Sequence, residues 1–278
     1  MVLPQLQDNV SLTARDLAIL LDCYKETLLT NKQIEKRHFS GRAKSTMIER
    51  LTKLRRGGYL TAERIDMNRY ERKELRTGIV HLITSKGLNI LQTLFSNEHF
   101  KDEPPTYRYG NVIHDVVLVE MIAALRTRFN GIDIRNERVV DLSGVDSNIR
   151  PDAIIYDQNG KAHTAVELEM SDKSLLRYRE NTGDYQSQFS FKQIIYICDK
   201  PRFTRHLRSE INPVKQQADE GPVFTDRFFF ASVEELLKNP LTAEISNGRE
   251  EYLAPNSGSA FSSLKGGNDA VCIEVART

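Results

Sequence analysis

The stretch Arg150-Pro151-Asp152-Ala153-Ile154-Ile155-Tyr156-Asp157-Gln158-Asn159-Gly160-Lys161-Ala162-His163-Thr164-Ala165-Val166-Glu167-Leu168-Glu169 decides how this chain is read. Asn159-Gly160 is the strongest short hairpin signal, and it predicts a two-residue turn with both residues at positive φ. Gln158 then pairs with Lys161, and Asp152 falls directly opposite Glu167. Glu169 shares their face, because side chains alternate along a strand. The flanking residues Ala153, Ile154, Ile155, Ala165, Val166 and Leu168 are apolar, which predicts buried central strands. Like charges directly opposite each other are destabilising, so this cluster needs a countercharge. A divalent cation with oxygen ligands is the usual one, and the alternatives are an Arg or Lys partner or a strand end solvated enough to do without.

Working outward, Ile113 to Phe129 predicts a helix whose apolar residues include Val116, Val117, Met121, Ala124 and Leu125. Glu120 sits among them, either escaping to water at an edge or held inward for a purpose. His114, a turn earlier, reads as a structural or substrate-contact residue. Downstream, a capped helix begins near Ser171 and contains Leu176-Arg177-Tyr178-Arg179. Further buried strands are expected near Ile194 and over Arg227 to Ala231, with helices over Phe203 to Ile211 and Val233 to Lys238. That alternation predicts an α/β core with crossover helices.

The first hundred residues have a different grammar. Thr13 with Asp16, and Thr30 with Gln33, are capping pairs before helices. A turn at Phe39-Ser40-Gly41 leads into a third helix, Arg42 to Arg56. It buries Met47, Leu51 and Leu54 and presents Arg42, Lys44, Ser45, Thr46, Arg50 and Lys53. A short helix, a Gly-containing turn and a basic helix form the helix-turn-helix pattern, whose second helix enters the major groove. Strands over Tyr59 to Ala62 and Ile79 to Thr84, with a tip over Asp66 to Arg76, would form a wing carrying Arg64, Arg69, Arg72, Lys73 and Arg76, before a closing helix capped by Ser85. Such a module can also serve protein contacts alone.

Composition agrees with two functions in one chain. Of 278 residues, 40% are hydrophobic and 28% charged, enough for two modest cores. From Lys32 to Arg76 there are fourteen Lys and Arg against six Asp and Glu, so the remainder is net acidic. A basic front and an acidic back fit a phosphate grip joined to a holder of carboxylates. No stretch approaches the ~20 apolar residues of a membrane span, and the N-terminus does not read as a secretory signal. Cys23, Cys198 and Cys272 are odd in number and far apart, which predicts reduced cytoplasmic thiols without zinc spacing.

The hairpin resembles the PD-(D/E)xK nuclease superfamily through Pro151-Asp152 and Glu167-Leu168-Glu169, except that Glu169 stands where Lys is expected. Lys173 or Lys192 could reach back in its place, and Glu120 matches the acidic residue often placed on the preceding helix. The combined pattern, over about Ser11 to Leu237, resembles the replication-relaxation family, which includes C-type mobilisation relaxases of conjugative plasmids. The fold class expected is α/β (α+β overall). It comprises a winged helix-turn-helix over 1–98, a linker over 99–110, a restriction-endonuclease-like core over 111–238 and a polar, mobile tail over 239–278.

The resemblance implies a relaxase that nicks double-stranded DNA at an origin-like site, with accessory mobilisation proteins or a coupling protein as partners. Asp152, Glu167, Glu169 and Lys173 are the candidate catalytic residues, and Asp152, Glu167 and Glu120 the candidate ligands for Mg²⁺ or Mn²⁺. Arg42, Lys44, Ser45, Thr46, Arg50, Lys53, Arg69, Arg72 and Lys73 are candidates for DNA contact, and Tyr178 and Tyr185 are candidate nucleophiles. The rival readings are a non-catalytic DNA-binding regulator that keeps the nuclease fold as a scaffold, and an endonuclease cutting both strands.

Overall fold

A computed structural model describes residues 10–65, 78–96, 99–107, 112–140, 150–171, 173–187, 191–211 and 224–247. Within them the protein is mixed α/β, with eight α-helices and two sheets. The tip candidates Arg69, Arg72, Lys73 and Arg76, together with Asp172, Cys272 and all residues from 248, lie outside them. None of the described helices is long and apolar enough to cross a membrane.

Helix α1 (Ala14–Lys25) starts where Thr13 and Asp16 cap each other reciprocally, and α2 (Asn31–His38) starts on the same arrangement between Thr30 and Gln33. Between them lies the two-residue strand β1 (Leu29–Thr30). Helix α3 (Lys44–Arg56) has no side-chain cap and begins two residues later than expected. Strands β2 (Leu60–Arg64) and β3 (Ile79–Ile83) run antiparallel, and β1 joins the far edge of β3. Helix α4 (Ser85–Leu94) is capped by Thr84 rather than Ser85. Gly87 in its first turn is required, because a Cβ there would lie 2.4 Å from the Tyr59 carbonyl oxygen.

Helix α5 (Val112–Arg128) leads into a six-stranded sheet in chain order: β4 (Ile134–Asn136), β5 (Ala153–Tyr156), β6 (Ala162–Glu169), β7 (Gln193–Cys198), β8 (Phe228–Ser232) and β9 (Ile245–Ser246). The β6–β7 and β7–β8 pairs are parallel, and the others antiparallel. Helices α6 (Leu175–Ser187) and α7 (Pro201–Ile211) make the two parallel crossovers, and α8 (Val233–Lys238) follows β8. Alternation then divides the apolar residues. Ala153, Ile155, Val166, Leu168, Ile195 and Ile197 face α5 and α8, while Ile154, Ala165, Ile194 and Tyr196 face α6 and α7.

Strand β9 is a correction to the expected tail, since Ala243 and Ile245 are buried and β9 closes the sheet edge. Two apolar residues in a polar stretch are too few to show a period.

The core on the α5 side continues without a break into α1–α4. Polar contacts cross the same seam. Arg126 of α5 donates to the buried Glu26 after α1, and Gln33 Nε2 donates to the Val116 carbonyl at 3.4 Å. The segment expected to be a linker lies against this body over 99–107. The Phe100 ring meets Tyr24 edge-on at 5.0 Å, the Lys101 amide donates to the Tyr24 hydroxyl at 2.8 Å, and Pro105 is buried.

Candidate active site and nucleic-acid interface

The hairpin that carries the carboxylates closes differently from its predicted turn. The Asp157 amide donates to Lys161 O and the Gly160 amide to Asp157 O, so the loop holds three residues. Only Gly160 has positive φ, at 70°. This is a turn followed by a left-handed glycine, held by Asp157 Oδ1 accepting from the Asn159 and Lys161 amides. Such a loop shifts the register by one residue, and Tyr156 accordingly pairs with Ala162. An irregularity between Ile155 and Tyr156 takes the shift back, leaving Ala153 paired with Val166. Two departures therefore cancel, and Asp152 still meets Glu167 at the strand end.

There the Leu168 amide donates to Asp152 Oδ2 at 2.7 Å. His114, in the first turn of α5, places Nε2 3.1 Å from the Leu168 carbonyl oxygen and 3.3 Å from Asp152 Oδ2. Its Nδ1 is 3.5 Å from Asp115, a buried carboxylate gripped by both Arg138 Nη atoms at 2.7 and 2.9 Å. Burial disfavours a charged imidazole, but hydrogen bonds and charge from Asp115 and Asp152 outweigh it and raise His114 to about 10. His114 is thus a cation wedged between two carboxylates. Sequence spacing could not link it to a strand some forty residues away; the one available signal was a His-Asp pair opening an apolar helix.

Glu167 accepts from the Tyr185 hydroxyl. Burial, and then the charge of Asp152, push its carboxyl upward; Tyr185 and Lys173 offset this only in part. Glu169 is also raised, first by burial, despite Lys173 Nζ at 2.6 Å from its Oε2. Lys173 is thus paired with Glu169. Lys192 is exposed, and its charge acts on His163 instead. Glu120 is half-buried on α5, and no hydrogen bond or ion pair joins it to Asp152, Glu167 or Glu169.

Tyr178 and Tyr185 are both buried. The Tyr178 hydroxyl braces the turn before α6, donating to Ser171 O and accepting from the Lys173 amide. Burial and the neighbouring Glu167 push the Tyr185 phenol well above its usual range.

Lys44, Ser45, Thr46 and Lys53 are exposed on α3, and Arg42 is exposed in the turn just before it. Arg50 is turned inward, with Nε 2.7 Å from Asp16 Oδ1 and Nη2 donating to Ser11 O. It locks α3 to α1. Lys53 pairs with Glu49 at 2.7 Å, a contact of little energetic weight at this exposure.

A family model described as replication-relaxation matches residues 20–194, well over half of the chain. The chain belongs to the replication-relaxation family. No curated protein and no solved structure matches. The replication-relaxation match takes in α1, the exposed basic helix α3, His114 and the whole Asp152–Glu169 hairpin. Membership implies interaction with DNA and a role in replication or mobilisation.

As to a metal, the donors are all carboxylate oxygens, which suit Mg²⁺ or Mn²⁺. No group of three or more His, Cys, Asp and Glu gathers in metal-binding geometry among the described residues. Two facing carboxylates, Asp152 and Glu167, are donors of a kind that Mg²⁺ accepts where water and phosphate complete its shell.

Proposed function

We propose that this protein nicks one strand of duplex DNA at an origin-like site in plasmid mobilisation or replication. Helices α1 to α3 followed by the β2–β3 hairpin and α4 have the order of a winged helix-turn-helix, and α3 exposes cations where such a module meets phosphates. In the second half, the α/β sheet with Asp152 and Glu167 serves as a nuclease-like core.

The observation that carries the reading is Asp152 set against Glu167 across a buried hairpin, with Glu167 given a hydroxyl rather than a cation as its direct partner. Asp152 and Glu167 would hold Mg²⁺ or Mn²⁺, which supplies charge to the phosphate and acidity to a bound water. Lys173, paired with Glu169 at 2.6 Å, would be the lysine nearest the bound phosphate. His114 fixes Asp152 and the Leu168 carbonyl in place. Water is the favoured nucleophile, because the hydroxyls of Tyr178 and Tyr185 are both buried and engaged.

The regulator reading draws support from Glu169 at the position of the lysine and from the protein's own neutralisation of its carboxylates. A supercoiled plasmid carrying the protein's own origin separates the readings. Open circles formed with Mg²⁺ and absent with EDTA support the relaxase, and Asp152→Asn should abolish them while duplex binding persists. Linear product would mark a double-strand endonuclease, and unchanged plasmid would leave the regulator.

A further inference from the structure

Between Lys200 and Ser209 the chain has four Lys and Arg and no Asp or Glu, a basic run inside the acidic half. On α7 this run is sorted by face. Phe203, Leu207 and Ile211 are buried against the sheet, while Arg202, Arg205 and Arg208 are exposed at a spacing of three residues, which forms one stripe. Glu210, the one acidic residue of α7, is buried and receives Arg179 Nε at 2.9 Å, so it does not neutralise the stripe.

The stripe starts from the strand end that carries the carboxylates. Strands β6 and β7 are in parallel register with Glu169 beside Cys198, and the Asp199 amide donates to the Glu169 carbonyl at 2.9 Å. Helix α7 begins two residues later, at the same sheet edge as Glu167, Glu169 and Lys173. A cavity of about 290 Å³ opens beside it, lined by Thr204, Arg205 and Arg208 of α7 and also by Glu235 and Glu244. The Arg208 guanidinium lies over the Phe230 ring, 4.9 Å from its centroid, at the same cavity.

We propose that the exposed face of α7 is a second DNA contact, which holds the phosphate backbone of single-stranded DNA beside the carboxylate edge. Three arginines in a row match a phosphate run. A guanidinium held over a ring at the cavity also offers a cationic contact for an unpaired base. The cavity has the size of a small-ligand pocket, which suits a single strand and not a duplex. Duplex gripping falls to α3, at the other end of the chain. The assignment rests on the proposed DNA substrate and adds where the opened strand is held.

The probe is fluorescein-labelled oligo(dT) of about thirty nucleotides, titrated by anisotropy against the full chain in EDTA over a range of salt. Arg202→Gln/Arg205→Gln/Arg208→Gln should weaken binding about tenfold or more. It should also flatten the slope of log affinity on log salt by about 0.7 per lost phosphate contact. Arg42→Ala/Lys44→Ala should weaken duplex binding more than oligo(dT) binding, the reverse of the α7 variant. Should the triple variant melt early, Arg205→Gln alone is expected to take about 0.7 from the slope. Wild-type protein that ignores oligo(dT), or an α7 variant that binds it unchanged, overturns the proposal. Because EDTA excludes cleavage, a protein that never nicks plasmid still gives a clear answer here.

Discussion

Glu167→Gln tests the electrostatics of the site without reference to DNA. The carboxyl of Glu167 is raised from 4.5 to about 8 by burial and by Asp152, with Tyr185 and Lys173 opposing. An acid raised in the folded state is most favourable to folding below its unfolded value. That contribution is lost as pH rises through its folded value, so the wild-type protein should lose stability between about pH 4.5 and pH 8. A tenfold change in proton affinity corresponds to about 1.4 kcal/mol, which places an upper bound of about 5 kcal/mol on the loss. Glu167 is only half-buried, and water reaching it reduces the expected figure to about 2 kcal/mol. Glutamine preserves the shape and can still accept from the Tyr185 hydroxyl, but it does not ionise. Urea unfolding in EDTA should therefore find the two proteins alike near pH 5, with the variant more stable by about 2 kcal/mol near pH 9. His114 is present in both proteins and largely cancels in the difference. A difference that does not change with pH would refute the claim that Glu167 carries uncompensated charge.

Other perturbations separate binding from architecture. Arg42→Ala/Lys44→Ala should flatten the salt dependence of duplex binding by about 0.9 per lost contact without moving the melting temperature. Arg50→Ala should instead destabilise the fold by about 1–3 kcal/mol, because it strands the buried Asp16, and calorimetry tells the two apart. Arg126→Ala removes a partner of the buried Glu26 at the seam between the two halves and should cost about 3 kcal/mol in urea titrations. A fragment ending at Asn97 uncovers the side of the core that α5 covers, so it should melt broadly and bind a hydrophobic dye, while a fragment extended through Gly131 should melt sharply. Equal, sharp melting of both fragments would show that α5 is dispensable to the N-terminal fold.

Local signals were legible wherever the chemistry is local. The reciprocal caps at Thr13 and Thr30 need only a hydroxyl and an acceptor three residues apart, and both form. The crossover helices and central strands were legible because long apolar runs leave few alternatives to a buried sheet. The Asn159-Gly160 turn was legible as a turn but not as a type, since a bulge further along the strand decides how many residues the loop needs. Strand β9 was illegible because a two-residue edge strand exists only by leave of the strand it pairs with.

The sequence by itself determined that Asp152, Glu167 and Glu169 share one face of a buried hairpin, because strand alternation and pairing are short-range rules. It likewise determined that the front half carries excess positive charge and that α3 shows much of it to solvent. Only the tertiary structure decided which charges meet. His114 reaches Asp152 from the sheet's other face, Lys173 turns to Glu169, Tyr185 covers Glu167, and Arg50 is withdrawn to Asp16. Each of these pairings depends on how helices pack on the sheet or on one another. Side-chain ends several ångströms long meet or miss through rotations of a helix that leave its own periodicity unchanged.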